Sequence, residues 1–230
     1  MAERAGPALS LFVTGTDTGV GKTLVSAGLL HALARYHPRV VGMKPVAAGT
    51  ELIDGVAAND DVLALRAASS CRVPPELDNP VLLPDALSPH IAAQRAGVRI
   101  DIEHLVACQR ALALRADAVV VEGAGGFMVP LSALETGADL AGALGLPVLL
   151  VVGLRLGCLN HALLTAEAIR ARGLTLAGWV ANQVDAAMLA PDDNIAFLQR
   201  QLRAPLLARI AYQAAPDPRA LTFNLPSAWQ

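Results

Sequence analysis

The residues best suited to chemistry form a glycine-rich segment near the start of the chain. This segment, Gly15–Thr23, reads Gly-Thr-Asp-Thr-Gly-Val-Gly-Lys-Thr and joins an apolar run to a stretch with helical spacing. A loop in that position offers backbone N–H groups and a helix N-terminus to phosphate oxygens. We predict that Lys22 contacts the phosphates of a nucleotide and that Thr23 ligates Mg²⁺. The other predicted nucleotide contacts of the loop are Thr18, Gly19, Val20 and Gly21.

A carboxylate at the end of a predicted buried strand is the second candidate. Glu122 follows the apolar run 118–121, and ligands of open α/β sheets bind at the carboxyl ends of such strands. A carboxylate there can hold Mg²⁺ directly or through water, and small residues beside it let a ligand approach the backbone closely. We therefore predict nucleotide contacts from Glu122, Gly123, Ala124 and Gly125.

Lysine usage singles out a third candidate. The chain contains 18 lysine and arginine residues, and only Lys22 and Lys44 are lysines. Arginine replaces lysine on most surfaces, but not at a chemical site that needs a compact ammonium on a flexible stem. Lys44 ends a second apolar run, where its ammonium could neutralise a transferring phosphoryl group. The alternative is an ordinary exposed lysine at a strand end. We take Lys22 and Lys44 as the candidate catalytic residues.

The acids after Asn59 have two interpretations. Asp60 and Asp61 could begin a helix that Asn59 caps, or Asp61 could add a carboxylate to a metal site, and both can hold at once. The five histidines show no spacing typical of metal ligands, and His90 fits the start of a helix.

Strand-like and helix-like segments alternate along the chain. The predicted strands are 9–14, 39–43, 118–121, 147–152, 176–181 and 205–210, and the predicted helices are 23–35, 60–67, 102–116, 160–172 and 191–202. This order predicts an α/β fold of the P-loop type, with a mostly parallel sheet and helices on both faces. We expect a single domain over residues 1–230. The proline-rich segment 69–89 is predicted to be surface loop, and 214–230 carries little structural signal.

Composition argues against several classes of partner. The net charge of −2 gives no electrostatic reason to expect nucleic acid or an anionic membrane. The longest apolar stretch, 144–154, is far shorter than the roughly 20 residues of a membrane span. The three cysteines are too widely spaced for a disulfide framework or a zinc site. With no visible signal peptide, we expect a cytoplasmic protein.

Together these motifs resemble those of the dethiobiotin synthetase family. The phosphate loop is similar to the family's Gly-Thr-Asp-Thr-x-Val-Gly-Lys-Thr. Further matches, in chain order, are Lys-Pro-Val at 44–46, Asn-x-Asp at 59–61, Ser-Pro-His at 88–90, Glu-Gly-Ala-Gly-Gly at 122–126, Gly-Cys-Leu-Asn-His at 157–161 and Gly-Trp-Val-Ala-Asn at 178–182. The resemblance extends over nearly the whole chain. The motifs are jointly specific, although the phosphate loop alone is not.

The resemblance implies a homodimeric ligase whose substrates are 7,8-diaminononanoate, CO₂ and ATP. One amine would become a carbamate, the γ-phosphate would transfer to its oxygen, and the second amine would close a cyclic urea. Residues 157–160 of one subunit would cap the substrate carboxylate in the other.

The resemblance also implies residue roles. Mg²⁺ would be held by Thr23, Asp61 and Glu122, and the nucleotide base would be read by Asn182 and Gln183. The organic substrate would be contacted by Lys44, Ala48, Gly125, Gly157, Cys158, Leu159 and Asn160.

The chain departs from the family pattern at two places. Ala48 stands where the family usually has Ser or Thr, so it lacks the hydroxyl that contacts the substrate. Residues 208–211, Ala-Arg-Ile-Ala, replace a Gly-x-x-Pro turn beside the base. Since base selectivity comes from hydrogen bonds, we expect less strict discrimination among nucleotides.

Three other functions share part of the pattern. A partition-type ATPase normally carries a lysine where this chain has Asp17. A cobyrinate-type amidase has the same fold but needs a glutaminase domain with a nucleophilic cysteine. A nucleotide-binding regulatory module would need neither Lys44 nor the loop 157–161.

Overall fold

The structure is a computed structural model that describes residues 8–53 and 55–230. Residues 1–7, on which the expectation of no signal peptide rests, lie outside the described part. The strands are β1 (Leu9–Gly15), β2 (Val40–Met43), β3 (Val46–Ala48), β4 (Glu51–Ile53), β5 (Val56–Ala58), β6 (Val81–Leu83), β7 (Ala118–Gly126), β8 (Val148–Leu154), β9 (Leu176–Gln183) and β10 (Leu206–Ile210). The helices are α1 (Lys22–Leu33), α2 (Asp60–Ala68), α3 (Pro75–Asp78), α4 (Pro89–Ala96), α5 (Ile102–Ala113), α6 (Gly137–Leu144), α7 (Cys158–Ala171) and α8 (Pro191–Leu202).

Six strands form one parallel sheet in the order β10-β9-β8-β1-β7-β2. All seven residues of β8 are buried. Such uninterrupted apolar strands are expected where helices cover both faces of a parallel sheet. The predicted α/β fold is therefore confirmed, and the predicted elements are present with ends that differ by a few residues.

The two faces of the sheet carry separate cores. Leu11 and Val13 of β1 pack on one face with residues of α1 and α2, including Leu30 and Leu65. Phe12 points to the other face, which α5, α6, α7 and α8 cover. Successive side chains of a strand alternate between faces, so β1 anchors both cores.

The prediction that 69–89 is surface loop is wrong. The segment contains α3 and β6, and β6 pairs in parallel with β3 through Val46 and Val81. Leu83 is fully buried in a third core. The prolines of this segment are compatible with a helix, because Pro75 occupies the first turn of α3, where its missing N–H has no cost.

Other elements were not predicted because they are short or weakly patterned. These are the paired strands β4 and β5, helix α6, and two 3₁₀ turns, Pro218–Ala220 and Ser227–Trp229. Helix α4 begins at Pro89, which confirms the prediction that His90 lies at the start of a helix. Trp229 is buried against the α1 face, so the C-terminal segment completes that core. Within residues 8–53 and 55–230, no helix has the length and apolar character needed to cross a membrane.

Candidate functional site

The glycine-rich segment forms the loop between β1 and α1, at the carboxyl end of the central strand. Gly19 and Gly21 have φ angles of +73° and +86°, in the left-handed region that glycine adopts readily. Gly21 is the N-cap of α1, so the first N–H groups of the helix face the loop. The N–H of Thr16 donates to the carbonyl of Val151 at 3.0 Å and ties the loop to β8. This arrangement can cradle an anion.

Lys22 is buried beneath this loop. Its ammonium donates to the carbonyl of Asp17 at 3.1 Å. Burial and then repulsion from Lys44 lower the pKa of Lys22, and attraction to nearby carboxylates offsets this only in part. A phosphate group in the loop would give this ammonium a negatively charged partner, which favours its protonated form.

Four side chains from separate parts of the sequence meet beside the loop. Nζ of Lys44 lies 2.6 Å from Oδ2 of Asp61 and 2.6 Å from Oε1 of Glu122. The hydroxyl of Thr23 lies 2.6 Å from Oδ1 of Asp61 and 2.9 Å from Oε1 of Glu122. The strand order and register explain the meeting, since β7 lies between β1 and β2 and Val121, next to Glu122, is in register with Met43 at the end of β2. We call these four residues the ion cluster.

The position of Glu122 differs from the sequence prediction. Strand β7 continues past Val121 to Gly126, so Glu122 lies inside the strand, in register with Val13 of β1. Its side chain is fully buried. A carboxylate in that position needs partners of opposite charge or strong hydrogen-bond donors, which Lys44 provides at one oxygen.

The ion cluster suits Mg²⁺. Oε2 of Glu122 is buried and has no hydrogen-bond partner among the described residues. Within the same part of the chain there is no group of three or more His, Cys, Asp or Glu side chains that could hold a metal. Mg²⁺ typically takes only one or two carboxylates and completes its shell with water and substrate phosphates. Thr23, Asp61 and Glu122 match that requirement.

The charges of the ion cluster depend on one another. Burial by itself would lower the pKa of Lys44, but the negative charges of Glu122 and Asp61 and hydrogen bonds to both outweigh it and raise the pKa. Burial would raise the pKa of Asp61, but Lys44 and the Thr23 hydroxyl lower it. Lys44 is therefore a fixed cation and Asp61 a fixed anion at neutral pH.

Asn59 shows how Asp61 is positioned. The Asn59 side chain accepts hydrogen bonds from the N–H groups of Asp61 and Val62, which confirms the helix-cap interpretation. The cap places Asp61 in the first turn of α2 with its carboxylate facing Lys44. Both interpretations of this motif are compatible with the geometry.

Asn182 supports the phosphate loop from β9. Its amide is buried and donates to the carbonyl of Val20 at 2.9 Å. Asn182 and Gln183 also line a cleft with Gly21 and the segment 210–213. An aromatic base attached to a nucleotide in the loop could enter this cleft. Contact of Asn182 and Gln183 with the base stays a prediction. In the segment 208–211, residues 208–210 belong to β10.

The remaining predicted residues lie outside the ion cluster. Ala48 is in β3, opposite Leu83 of β6. Gly125 has a φ of +55°, and a Cβ added there would lie 3.5 Å from the hydroxyl oxygen of Thr18, so this backbone borders the phosphate loop. Residues 157–160 form the start of α7, where Gly157 is the N-cap and Cys158 is buried.

The ion-pair partner of Asp17 was not predicted. The guanidinium of Arg155 donates to Oδ2 of Asp17 at 2.5 Å, linking the phosphate loop to the segment that precedes residues 157–160. No local sequence signal indicates this pair, because 138 positions separate its members.

We predict that Gly21→Ala impairs nucleotide binding more than Gly19→Ala. Both positions have positive φ, so both variants carry a backbone strain of about 1–2 kcal/mol. A Cβ at Gly21 would also lie 2.2 Å from Nδ2 of Asn182, whereas a Cβ at Gly19 meets nothing within 4 Å. Titration calorimetry with Mg-ATP on the two variants measures the difference. Equal losses would contradict the assigned contact between Asn182 and the loop.

The comparisons with known proteins agree with this geometry. Residues 10–219 match the sequence profile of an AAA domain, AAA_26. The chain belongs to this family. The family includes dethiobiotin synthetase, and this AAA domain is a P-loop ATPase.

Solved structures with a similar fold come from several organisms. The AAA domain matches the MinC:MinD cell division protein complex of Aquifex aeolicus with 18% identity and a TM-score of 0.55, over 90% of this chain and 82% of that one. A ParA family ATPase from Chlorobium tepidum TLS has 14% sequence identity and a TM-score of 0.55, and the match covers 90% of this chain and 86% of that one. The septum site-determining protein MinD of Pyrococcus horikoshii OT3, complexed with Mg-ADP, has 20% sequence identity and a TM-score of 0.54. This match covers 90% of this chain and 82% of that one. These likenesses establish the P-loop fold of the AAA domain.

Proposed function

We propose that this AAA domain is a cytoplasmic dethiobiotin synthetase. It would use Mg-ATP to join CO₂ to 7,8-diaminononanoate and close a cyclic urea, giving dethiobiotin, ADP and phosphate. The observation that carries the proposal is the buried ammonium of Lys44, held 2.6 Å from Asp61 and 2.6 Å from Glu122 beside the phosphate loop. A nucleotide-binding regulatory module would not need this second buried lysine.

The proposed chemistry begins with attack of one amine on CO₂ and loss of a proton from its nitrogen, which gives a carbamate. A carbamate oxygen then attacks the γ-phosphorus of ATP, ADP leaves, and a carbamic-phosphoric anhydride results. The second amine attacks the carbamate carbon, its proton is lost, and phosphate leaves as the ring closes. Bound Mg²⁺ would neutralise charge on the phosphates.

Residues of the chain would serve these steps by position and charge. Lys22 and the loop amides would hold the phosphates, and Thr23, Asp61 and Glu122 would hold the metal. Lys44 would stabilise the charge that develops between the carbamate oxygen and the γ-phosphate. The backbone at Gly125 and the β3 strand around Ala48 would line the path of the diamine, and Asn182 and Gln183 would face the base.

A partition-type ATPase is the second candidate, favoured by the fold likeness to MinD and a ParA family ATPase. Its phosphate loop normally carries a lysine at the position of Asp17. Here that position holds an acid paired with Arg155 of the same chain. A lysine at the site would repel Arg155, so the local charge balance favours the ligase proposal.

We expect a homodimer in which residues 157–160 complete the substrate site of the other subunit. The helix α7 begins at Cys158 with no side-chain cap. The N–H of Cys158 donates to the carbonyl of Arg155 at 3.0 Å, and the N–H groups of the next two residues can receive a carboxylate. Leu156 just before it is 97% exposed, and a subunit interface would cover it. Light scattering at assay concentration should give twice the chain mass. A fully active monomer would contradict this arrangement.

A ring-closing assay tests the proposed function. The purified protein is incubated with ATP, Mg²⁺, labelled bicarbonate and the diamine, and the product is examined by mass spectrometry. We expect a cyclic urea that contains the labelled carbon, with ADP and phosphate released in equal amounts. Reactions without the diamine are the control. If the rate of ATP hydrolysis is the same with and without the diamine and no urea forms, the result would favour the partition-type candidate.

A further inference from the structure

Lys44 lies just beyond the end of β2, so the sheet does not hold its backbone. Strand β2 ends at Met43, which is in register with Val121 of β7. A flexible side chain on an unsupported backbone would place its ammonium poorly. Buried backbone groups also need hydrogen-bond partners. The groups that hold the Lys44 backbone therefore affect where its ammonium lies.

Both polar groups of the Lys44 backbone are bound by two consecutive residues, Asp78 and Asn79. The N–H of Lys44 donates to the carbonyl of Asp78 at 2.8 Å. The carbonyl of Lys44 accepts from Nδ2 of Asn79 at 2.7 Å. The same Nδ2 donates to the carbonyl of Val81 at 3.2 Å. The Asn79 amide thus joins the end of β2 to the start of β6.

The residues that hold Lys44 are themselves fixed. Asp78 and Asn79 are buried, with exposed fractions of 5% and 9%. Nε and Nη2 of Arg66 donate to the two carboxylate oxygens of Asp78 at 2.8 and 2.5 Å. The N–H of Asn79 donates to the carbonyl of Pro75 at 3.1 Å. A buried amide with two carbonyl acceptors, anchored beside a bidentate ion pair, is rigid.

We propose that Asn79 is a positioning residue, which fixes the Lys44 backbone so that the ammonium stays between Asp61 and Glu122. Asp78 assists through its carbonyl, and Arg66 holds Asp78 in place. Asn79 acts through Lys44 and does not itself contact the reacting atoms. The effect on turnover rests on the proposed function, whereas the effect on the position of Lys44 does not.

The chain allows a direct test because it has only two lysines. Reductive methylation with formaldehyde and borohydride, followed by peptide mass spectrometry, gives separate labelling rates for Lys44 and Lys22. The ratio of these rates is the readout, with Lys22 as the reference inside each molecule. General loosening of the fold raises both rates, whereas displacement of Lys44 alone raises the ratio.

We expect Asn79→Ala to raise the ratio of Lys44 to Lys22 labelling about tenfold and to lower kcat for ring closure by about 10- to 100-fold. The KM for ATP should change little, because the phosphate loop keeps its contacts. Asn79→Asp should behave similarly, since a carboxylate has no proton to donate to the Lys44 carbonyl at neutral pH. Arg66→Ala, at a half-exposed residue, should raise the ratio by a smaller factor.

Gln109→Leu is the matched control. Gln109 is another buried amide, and it donates to Oγ of Ser10 at the opposite end of β1 from the phosphate loop. This variant should keep the wild-type ratio and activity.

The outcomes separate the two proposals. An unchanged ratio in folded Asn79→Ala overturns the positioning role, whatever happens to kcat. If Asn79→Ala does not fold, an unchanged ratio in Arg66→Ala overturns it instead. A raised ratio in a protein whose wild type closes no ring supports the positioning role and rejects the ligase.

Discussion

Lys44→Ala should nearly abolish ring closure while leaving ATP affinity within a few-fold of the wild type. The ammonium lies between Asp61 and Glu122, next to the place where the γ-phosphate would leave ADP. Charge develops there in the transition state, and a fixed cation in a site that excludes water contributes about 3–4 kcal/mol, or roughly 10²–10³ in rate. Bound ATP would already have Lys22 and the metal, so its affinity changes less than turnover.

Lys44→Arg separates charge from shape. Arginine keeps the positive charge but spreads it over a planar group that does not fit between two carboxylates spaced for a compact ammonium. We therefore expect poor rescue. The measurements are kcat and calorimetric ATP affinity for both variants. If Lys44→Ala keeps more than about a tenth of wild-type turnover, the catalytic assignment is wrong.

Loss of Lys44 also has a predictable cost in stability. Glu122 is fully buried, and removal of Lys44 takes away its ion-pair partner and leaves the Thr23 hydroxyl as its hydrogen-bond donor. Breaking a buried pair in this way costs about 3–5 kcal/mol. Circular dichroism and thermal melting must therefore accompany the kinetics. Mg-ATP should recover part of the lost stability, since a metal bound at Glu122 would replace the missing charge.

Lys22→Ala should remove most of the nucleotide affinity. The Lys22 ammonium is buried beneath the loop with the Asp17 carbonyl as its hydrogen-bond partner, and burial together with repulsion from Lys44 lowers its pKa. Phosphate oxygens would supply a charged partner, and charge-assisted hydrogen bonds contribute about 1.5–3 kcal/mol. We expect the dissociation constant for Mg-ATP to rise roughly 10- to 100-fold, measured by titration calorimetry.

The two lysine variants should affect different kinetic quantities. Lys44→Ala should lower kcat with a modest change in ATP affinity, and Lys22→Ala should weaken binding before any chemistry takes place. Arg155→Ala is a further control for charge near the loop. It removes a cation that pairs with Asp17 at a half-exposed site, so we expect a smaller loss of affinity. Unchanged affinity in Lys22→Ala would falsify the assignment of this loop to phosphate binding.

The sequence by itself determined the class of the protein. The glycine-rich segment before a helical run specified a phosphate loop, and the alternation of apolar and helical segments specified a parallel α/β sheet. These features are local, because a glycine turn or a strand is encoded by neighbouring residues. The scarcity of lysine also singled out Lys22 and Lys44 before any contact was known. Local patterns could not show, however, which charges each lysine would meet.

Only the tertiary structure decided which residues meet. Strand β7 lies between β1 and β2, which brings Glu122 to Lys44 across 78 positions of the chain. The crossovers of a parallel sheet set that order, and periodicity within one segment carries no information about it. For the same reason, local sequence patterns could not predict the pair of Asp17 with Arg155 or the contacts of Asn79 with the Lys44 backbone. The segment 69–89, which was predicted to be a loop from its prolines, binds the backbone at the end of β2. Its short helix and strand are stabilised by burial against distant residues, so local sequence patterns did not indicate them.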